Sequence, residues 1–227
     1  FKNHFSRTVR QILFLILPLM VLFIILRAQI VRVTLGSGAF NWDNTALTAD
    51  TLGILALSLA AHCLFLITAR ALYALQDTWR PFFISLIGVA ATALLSSPLA
   101  RGWQLEGLAF ALSTAIILQC ALLWVILRRR LNGLNEKALV IALAKMSIGL
   151  VAAALVAQNL KYPVAQLVDM TRLWGILSQG AICGTLGVLA YGLVCYGLRL
   201  EEMTLFKQSL TRRWLQWRTT PEPERPL

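Results

Sequence analysis

Apolar residues run along this chain in long unbroken blocks, separated by short clusters of charge, proline and glycine, and nowhere in the strict alternation of a half-buried strand. Six blocks have the length, or nearly the length, to cross a bilayer as helices: about 11–33, 50–75, 82–99, 105–127, 138–158 and 174–198. A hydrocarbon core about 30 Å thick takes about 20 helical residues to span. The third block, "PFFISLIGVAATALLSSPL", is the shortest and ends at Pro98, which suits a short or tilted helix. Lipid cannot hydrogen-bond an open backbone, and the alternation of a barrel strand is missing, so helices are the remaining solution. The pattern predicts an all-α polytopic membrane bundle of six transmembrane helices, four within 11–135 and two more within 136–199.

The flanks carry a different period. Phe1, Phe5 and Val9 recur every fourth residue with Lys2, Arg7 and Arg10 around them, which predicts an amphipathic interfacial segment over 1–10. Within 200–227, Met203, Phe206, Leu210, Trp214 and Trp217 form one stripe and Lys207, Arg212 and Arg213 another. An in-plane helix attracted to anionic lipid and a solvated basic tail both fit that stretch. The final "TTPEPERPL" has the proline and charge content of a disordered end.

Composition closes off several classes. At 58% hydrophobic residues the chain is well above the roughly 45–50% of a soluble domain, so a water-solvated globule is excluded. The net charge of +11 does not point to nucleic acid, because the basic residues are not interleaved with aromatics in a soluble module. It follows topology instead. With residue 1 on one side, the loops and ends of that side carry 15 of the 21 Lys and Arg, the opposite side carries 5, and Lys145 lies within a span. The positive-inside bias then predicts that both ends are cytoplasmic. Cys63, Cys120, Cys183 and Cys195 all lie in apolar runs without metal-ligand spacing and read as small buried hydrophobes, so no metal site is expected. An enzyme is not expected either: the spans hold no paired acids and no Ser/His/Asp set. The start at Phe1, without a signal-peptide pattern, reads as the start of a fragment.

A polar cluster, "ARALYALQDTWRPFF", lies between the second and third spans. Pro81 suits the first turn of a new helix, and Arg80 before it is steered out of the α conformation. Asp77 or Thr78 can accept from the free N–H groups of that helix. Arg70, Tyr73 and Asp77 follow at one-turn intervals, so this inner-loop turn, with Arg80 and Pro81, is either a capped loop with snorkelling arginines or part of a polar site. Lys145 inside the fifth span is a functional cation or snorkels to the surface. His62 is a helix-packing histidine or a proton relay. Arg27 and Arg32 hold the outer boundary or meet a headgroup phosphate. Ser178, Gly180, Gly184 and Gly187 form a small-residue stripe on the sixth span, for close helix packing or for accepting a lipid tail.

Three stretches in order, "LFLILPLMVLFIILRAQIVRVTLGSGAF", "TADTLGILALSLAAHCLFLITARALYALQDTWRPFF" and "LEGLAFALSTAIILQCALLWVILRRRL", resemble the MurJ (MviN) family of lipid II flippases, members of the multidrug/oligosaccharidyl-lipid/polysaccharide exporter superfamily. Pro18, the "GSGAF" turn, the "ARALYALQDTWRP" loop and the "LRRRL" helix end are the landmarks. The resemblance implies the last six of fourteen helices in a bacterial inner-membrane protein that moves the undecaprenyl-linked peptidoglycan precursor between leaflets by alternating access. It also implies that the last two helices form a groove for the lipid tail. The implied partners are that precursor, membrane lipids and the preceding helices of the same protein. Arg27, Arg32, Arg70 and Lys145 are the cations this segment could add to a substrate path. No cofactor is implied, but some members bind sodium through Asn and Asp in the helix after the inner loop. Here that helix reads "FFISLIGVAATALLSS", with Thr92 and Ser96 near the expected positions, so a sodium site is not supported and the driving ion stays open. Export of another lipid-linked oligosaccharide or small molecule, and a non-transporting membrane scaffold, are the alternative readings.

Overall fold

The computed structural model describes residues 1–35, 42–131, 133–134, 136–168 and 173–204. Its helices are α1 (Lys2–Ile25), α2 (Arg27–Leu35), α3 (Trp42–Leu57), α4 (Leu59–Ala74), α5 (Trp79–Arg130), α6 (Glu136–Leu167) and α7 (Leu173–Gly197). Five helical stretches among the described residues are long and apolar enough to cross a membrane. Six crossings result because α5 makes two.

At about 1.5 Å per residue, the 52 residues of α5 would reach about 78 Å if straight, far beyond a hydrocarbon core. Helical geometry fails at Trp103 (φ −126°, ψ 20°) and Gln104 (φ 46°, ψ −123°). The chain then folds back on itself: Gln119 Nε2 donates to Ser85 O at 3.2 Å, and Arg130 pairs with Asp77 just before the start of α5. The expected spans 82–99 and 105–127 are therefore the two limbs of one helical hairpin, and the first limb continues through Pro98. Glycines let the limbs meet. A Cβ on Gly107 would stand 2.0 Å from Leu99 O, and one on Gly88 would overlap the Gln119 amide.

Other irregularities sit inside the spans, and side chains from neighbouring helices cover the exposed carbonyls, as lipid requires. Pro18 has no N–H for Phe14 O, and the Tyr191 hydroxyl on α7 donates to that carbonyl at 3.1 Å. At the α3–α4 break, Ser58 N–H turns to Leu55 O, and Ser113 Oγ on α5 donates to the Ile54 carbonyl it leaves, at 3.2 Å. At the α1–α2 break the Lys161 ammonium donates to Ile25 O.

Two apolar clusters lie one above the other. Phe5, Val9, Leu72, Leu127, Met146 and Cys195 belong to the larger one, at the end where Arg10 pairs with Glu201 and Glu202. This end is termed proximal. Leu22, Leu26, Ala157, Val164 and Cys183 form the distal one.

Several boundaries differ from the sequence reading. Residues 2–10 are the opening turns of α1 and no separate interfacial helix, with Phe5 and Val9 buried and the Phe5 ring 6.1 Å from that of Trp124. A fourfold apolar repeat looks the same whether its face meets lipid or other helices, so periodicity could not separate the two. The second span starts earlier, at Trp42, and the fifth runs to Leu167 through Pro163, because Val164 is held in the distal cluster. Lys161 thus lies on a helix, not in a loop. Phe206, Leu210, Trp214 and Trp217 of the amphipathic tail and the "GSGAF" turn beyond Leu35 fall outside the described residues.

Candidate functional site

The turn between α4 and α5 is built by its backbone. Gln76 takes a left-handed conformation (φ 58°), its N–H donates to Tyr73 O at 2.9 Å, and Asp77 N–H donates to Leu72 O at 3.0 Å. This double closure satisfies the last carbonyls of α4 and fixes the direction of Asp77. Asp77 Oδ1 accepts from the Arg80 N–H at 3.3 Å, at the positive end of α5. Its Oδ2 lies 3.3 Å from Arg80 Nε and takes a hydrogen bond from Arg130, whose Nη2 reaches Leu75 O at 3.1 Å. One carboxylate, with a side chain only 12% exposed, thereby ties both ends of the hairpin together. Pro81 is buried in the first turn. Tyr73 and Arg70 point away: both are exposed, and among the described residues Arg70 has no ion pair.

At the distal end Arg27 Nη2 meets Asp50 Oδ1 at 2.8 Å and lies over Gly53, whose missing Cβ leaves it room. Both side chains are over 40% exposed, so this pair contributes only about 0.2–1 kcal/mol. Arg32 follows further along α2. Beneath them Gln179, 2% exposed, joins three helices: its Nε2 donates to Lys161 O at 2.8 Å, and its Oε1 accepts from Gln29 Nε2 at 3.2 Å. An apolar groove of about 330 Å³ opens beside this ladder between α2 and α7, lined by Leu26, Ile30, Val33, Ile176, Leu177 and Gly180 among others.

The small residues of α7 act in packing. A Cβ on Gly180 would stand 3.8 Å from the Gln29 Cβ, and one on Gly184 3.4 Å from Leu26 Cδ1. Gly187 would place a Cβ 3.1 Å from Leu22 and 3.3 Å from Ala157, so α7 beds into both α1 and α6 there. Ser178 donates within its own helix, to Gly175 O. The groove wall therefore includes Gly180 but not Gly184 or Gly187.

Lys145 Nζ donates to Leu198 O at 3.2 Å, capping the C-terminal end of α7. A cation there meets unsatisfied carbonyls and the negative end of a helix dipole, which accounts for a lysine inside an apolar helix. His62 Nδ1 lies 3.2 Å from Ser58 O, one turn below the α3–α4 break. Among the described residues no cluster of His, Cys, Asp and Glu could hold a metal ion.

Sequence reasoning missed Lys161, Gln179, Tyr191 and Arg130. The signals were present for two of them: Gln179 is a lone amide in an otherwise apolar span, and Arg130 ends a run of three arginines. Tyr191 answers Pro18 across 173 positions, and no local pattern relates the two.

Comparison with known proteins places this arrangement. The solved structure of "Lipid II flippase MurJ, inward closed conformation" superposes with a TM-score of 0.67 at 22% identity, covering 88% of this chain and 40% of the solved one. That match shows a shared fold. The "Probable lipid II flippase MurJ" of Rhizobium tropici is 36% identical over 128 residues, which are 56% of this chain and 24% of the relative. The chain thus spans well under half the length of either protein. A family model described as "Lipid II flippase MurJ" matches residues 1–177, and with more than three quarters of its length matched, the chain belongs to the MurJ family of lipid II flippases.

Proposed function

We propose that this chain is the C-terminal six-helix part of an inner-membrane flippase that carries a lipid-linked peptidoglycan precursor between leaflets by alternating access. The observation that carries the reading is the family match over residues 1–177, in a bundle that superposes on the inward-closed flippase. A pyrophosphate headgroup cannot cross hydrocarbon unaided, while its tail is at home there, so the protein must pair a polar route with an apolar margin. Here the groove between α2 and α7 supplies apolar surface for a tail, and α2 also carries Arg27 and Arg32, neither of which lines the groove. Arg70, exposed at the other end of the bundle, supplies a cation for a headgroup there.

In this reading the proximal face is cytoplasmic, since Arg7, Arg10, Arg70, Arg80 and Arg128–Arg130 gather on it. A reporter fused after Asn132 is expected to give a cytoplasmic signal and one after Gly38 a periplasmic signal; the reverse pair would overturn the orientation. Coupling to sodium on the first limb of α5 does not suit the residues present. Thr92 Oγ1 donates to Gly88 O and Ser96 Oγ to Ala93 O, and two neutral hydroxyls make a poor site for a hard cation.

The full-length protein that contains these 227 residues, produced in cells depleted of their own lipid II flippase, is expected to restore growth and outer-leaflet precursor. Normal abundance without restored precursor would reject the function and favour a related cargo or a scaffold.

A further inference from the structure

Two cavities adjoin where α1, α6 and the turn after α7 meet at the proximal boundary. One, of about 250 Å³, is lined by Arg10, Ile141, Lys145, Arg199, Glu201 and Glu202 among others. The other, of about 400 Å³, is lined by Asn3, Ser6, Arg7, Arg10 and Glu201. They share Arg10 and Glu201.

The charges in this place do not cancel. Arg10 is engaged by the two carboxylates, with Nη2 3.4 Å from Glu201 and Nε 3.3 Å from Glu202, whose side chain is 3% exposed. Lys145 uses one of its three N–H donors on Leu198 O. Arg7 and Arg199 are exposed, and among the described residues neither has an ion pair. Four cations thus face two carboxylates. Arg199 is also held in place: it occupies the left-handed position (φ 49°) of a closed turn in which its N–H donates to Tyr196 O at 3.1 Å and Leu200 N–H donates to Cys195 O at 3.2 Å.

The surroundings restrict the ligand. Ile141 lines the cavity and is 58% exposed, and the same helix goes on to expose Ile148, Val151 and Leu155. A basic cavity at the membrane boundary that opens onto a long oily helix face fits a ligand with an anionic head and apolar chains. We propose that it binds the headgroup of an anionic glycerophospholipid, with the phosphodiester drawn to Lys145 and Arg199, Arg7 adding positive charge from the adjoining cavity, and the acyl chains lying along α6. This site is separate from the groove between α2 and α7 and does not depend on the transported cargo.

The experiment uses the full-length protein in detergent, titrated with phosphatidylglycerol or phosphatidylcholine and read by native mass spectrometry. Phosphatidylglycerol is expected to bind in preference. The double variant Arg7→Gln/Arg199→Asn is expected to lose about 25-fold in affinity for it, from about fivefold per basic residue near an anionic partner. Both side chains are exposed and Asn accepts the left-handed backbone, so the fold should be retained. The charge-matched variant Arg128→Gln/Arg129→Gln, at the end of α5, should bind as the unaltered protein does. Unchanged binding in the first variant, equal loss in the second, or displacement of the lipid by millimolar inorganic phosphate would each overturn the proposal.

Discussion

Replacing Asp77 by Ala is expected to destabilise the full-length protein by about 1–3 kcal/mol, the loss of a helix cap together with two partly exposed ion pairs. The carboxylate accepts from the α5 N-terminus and takes the guanidinium groups of Arg80 and Arg130, so its loss frees the turn and the far end of the hairpin together. An apparent melting temperature lower by about 2–3 °C, given the size of the full-length protein, is the expected readout. The partner variant Arg130→Ala provides the internal check. If the two residues act through one contact, the double variant should be destabilised by at least about 1 kcal/mol less than the sum of the single ones. Strict additivity would show that the pair does not hold the hairpin.

Gly107→Ala is the second large effect, and comparison with Gly88 sharpens it. A Cβ at Gly107 would lie 2.0 Å from the Leu99 carbonyl oxygen, which is backbone and can move only if the limbs of α5 part. A Cβ at Gly88 meets only the end of the flexible Gln119 side chain, which can swing away at the cost of its bond to Ser85 O. Gly88→Ala should therefore cost about 1 kcal/mol, a typical hydrogen bond. Gly107→Ala should cost about 3 kcal/mol and lower the amount of folded protein in the membrane. Equal melting curves for the two variants would refute the close approach at the distal turn.

These two positions also show what the sequence can reveal. The number of crossings, the all-helical class and the turn around Asp77 follow from block length and from local chemistry, because a bilayer fixes the first and residues within one turn of each other fix the last. Pairings between distant residues are a different matter. That Arg130 would close onto Asp77, that Tyr191 would answer the proline gap at Phe14 and that Lys161 would answer the break after Ile25 depends on which helices become neighbours. Lys145 was singled out because it lies within a span, but its partner, the end of α7, could be found only from the packing. Residues 2–10 show the reverse case: the amphipathic pattern is local and legible, but that Phe5 and Val9 of its apolar face meet protein depends on the packing.

The reversal at Trp103 and Gln104 bears on how the protein enters the bilayer. With almost no linker between the limbs, once one limb spans the bilayer the other has to start from the same surface. Arg101 and Glu106 therefore come to lie on the same face of the bilayer, at the tip of the pair.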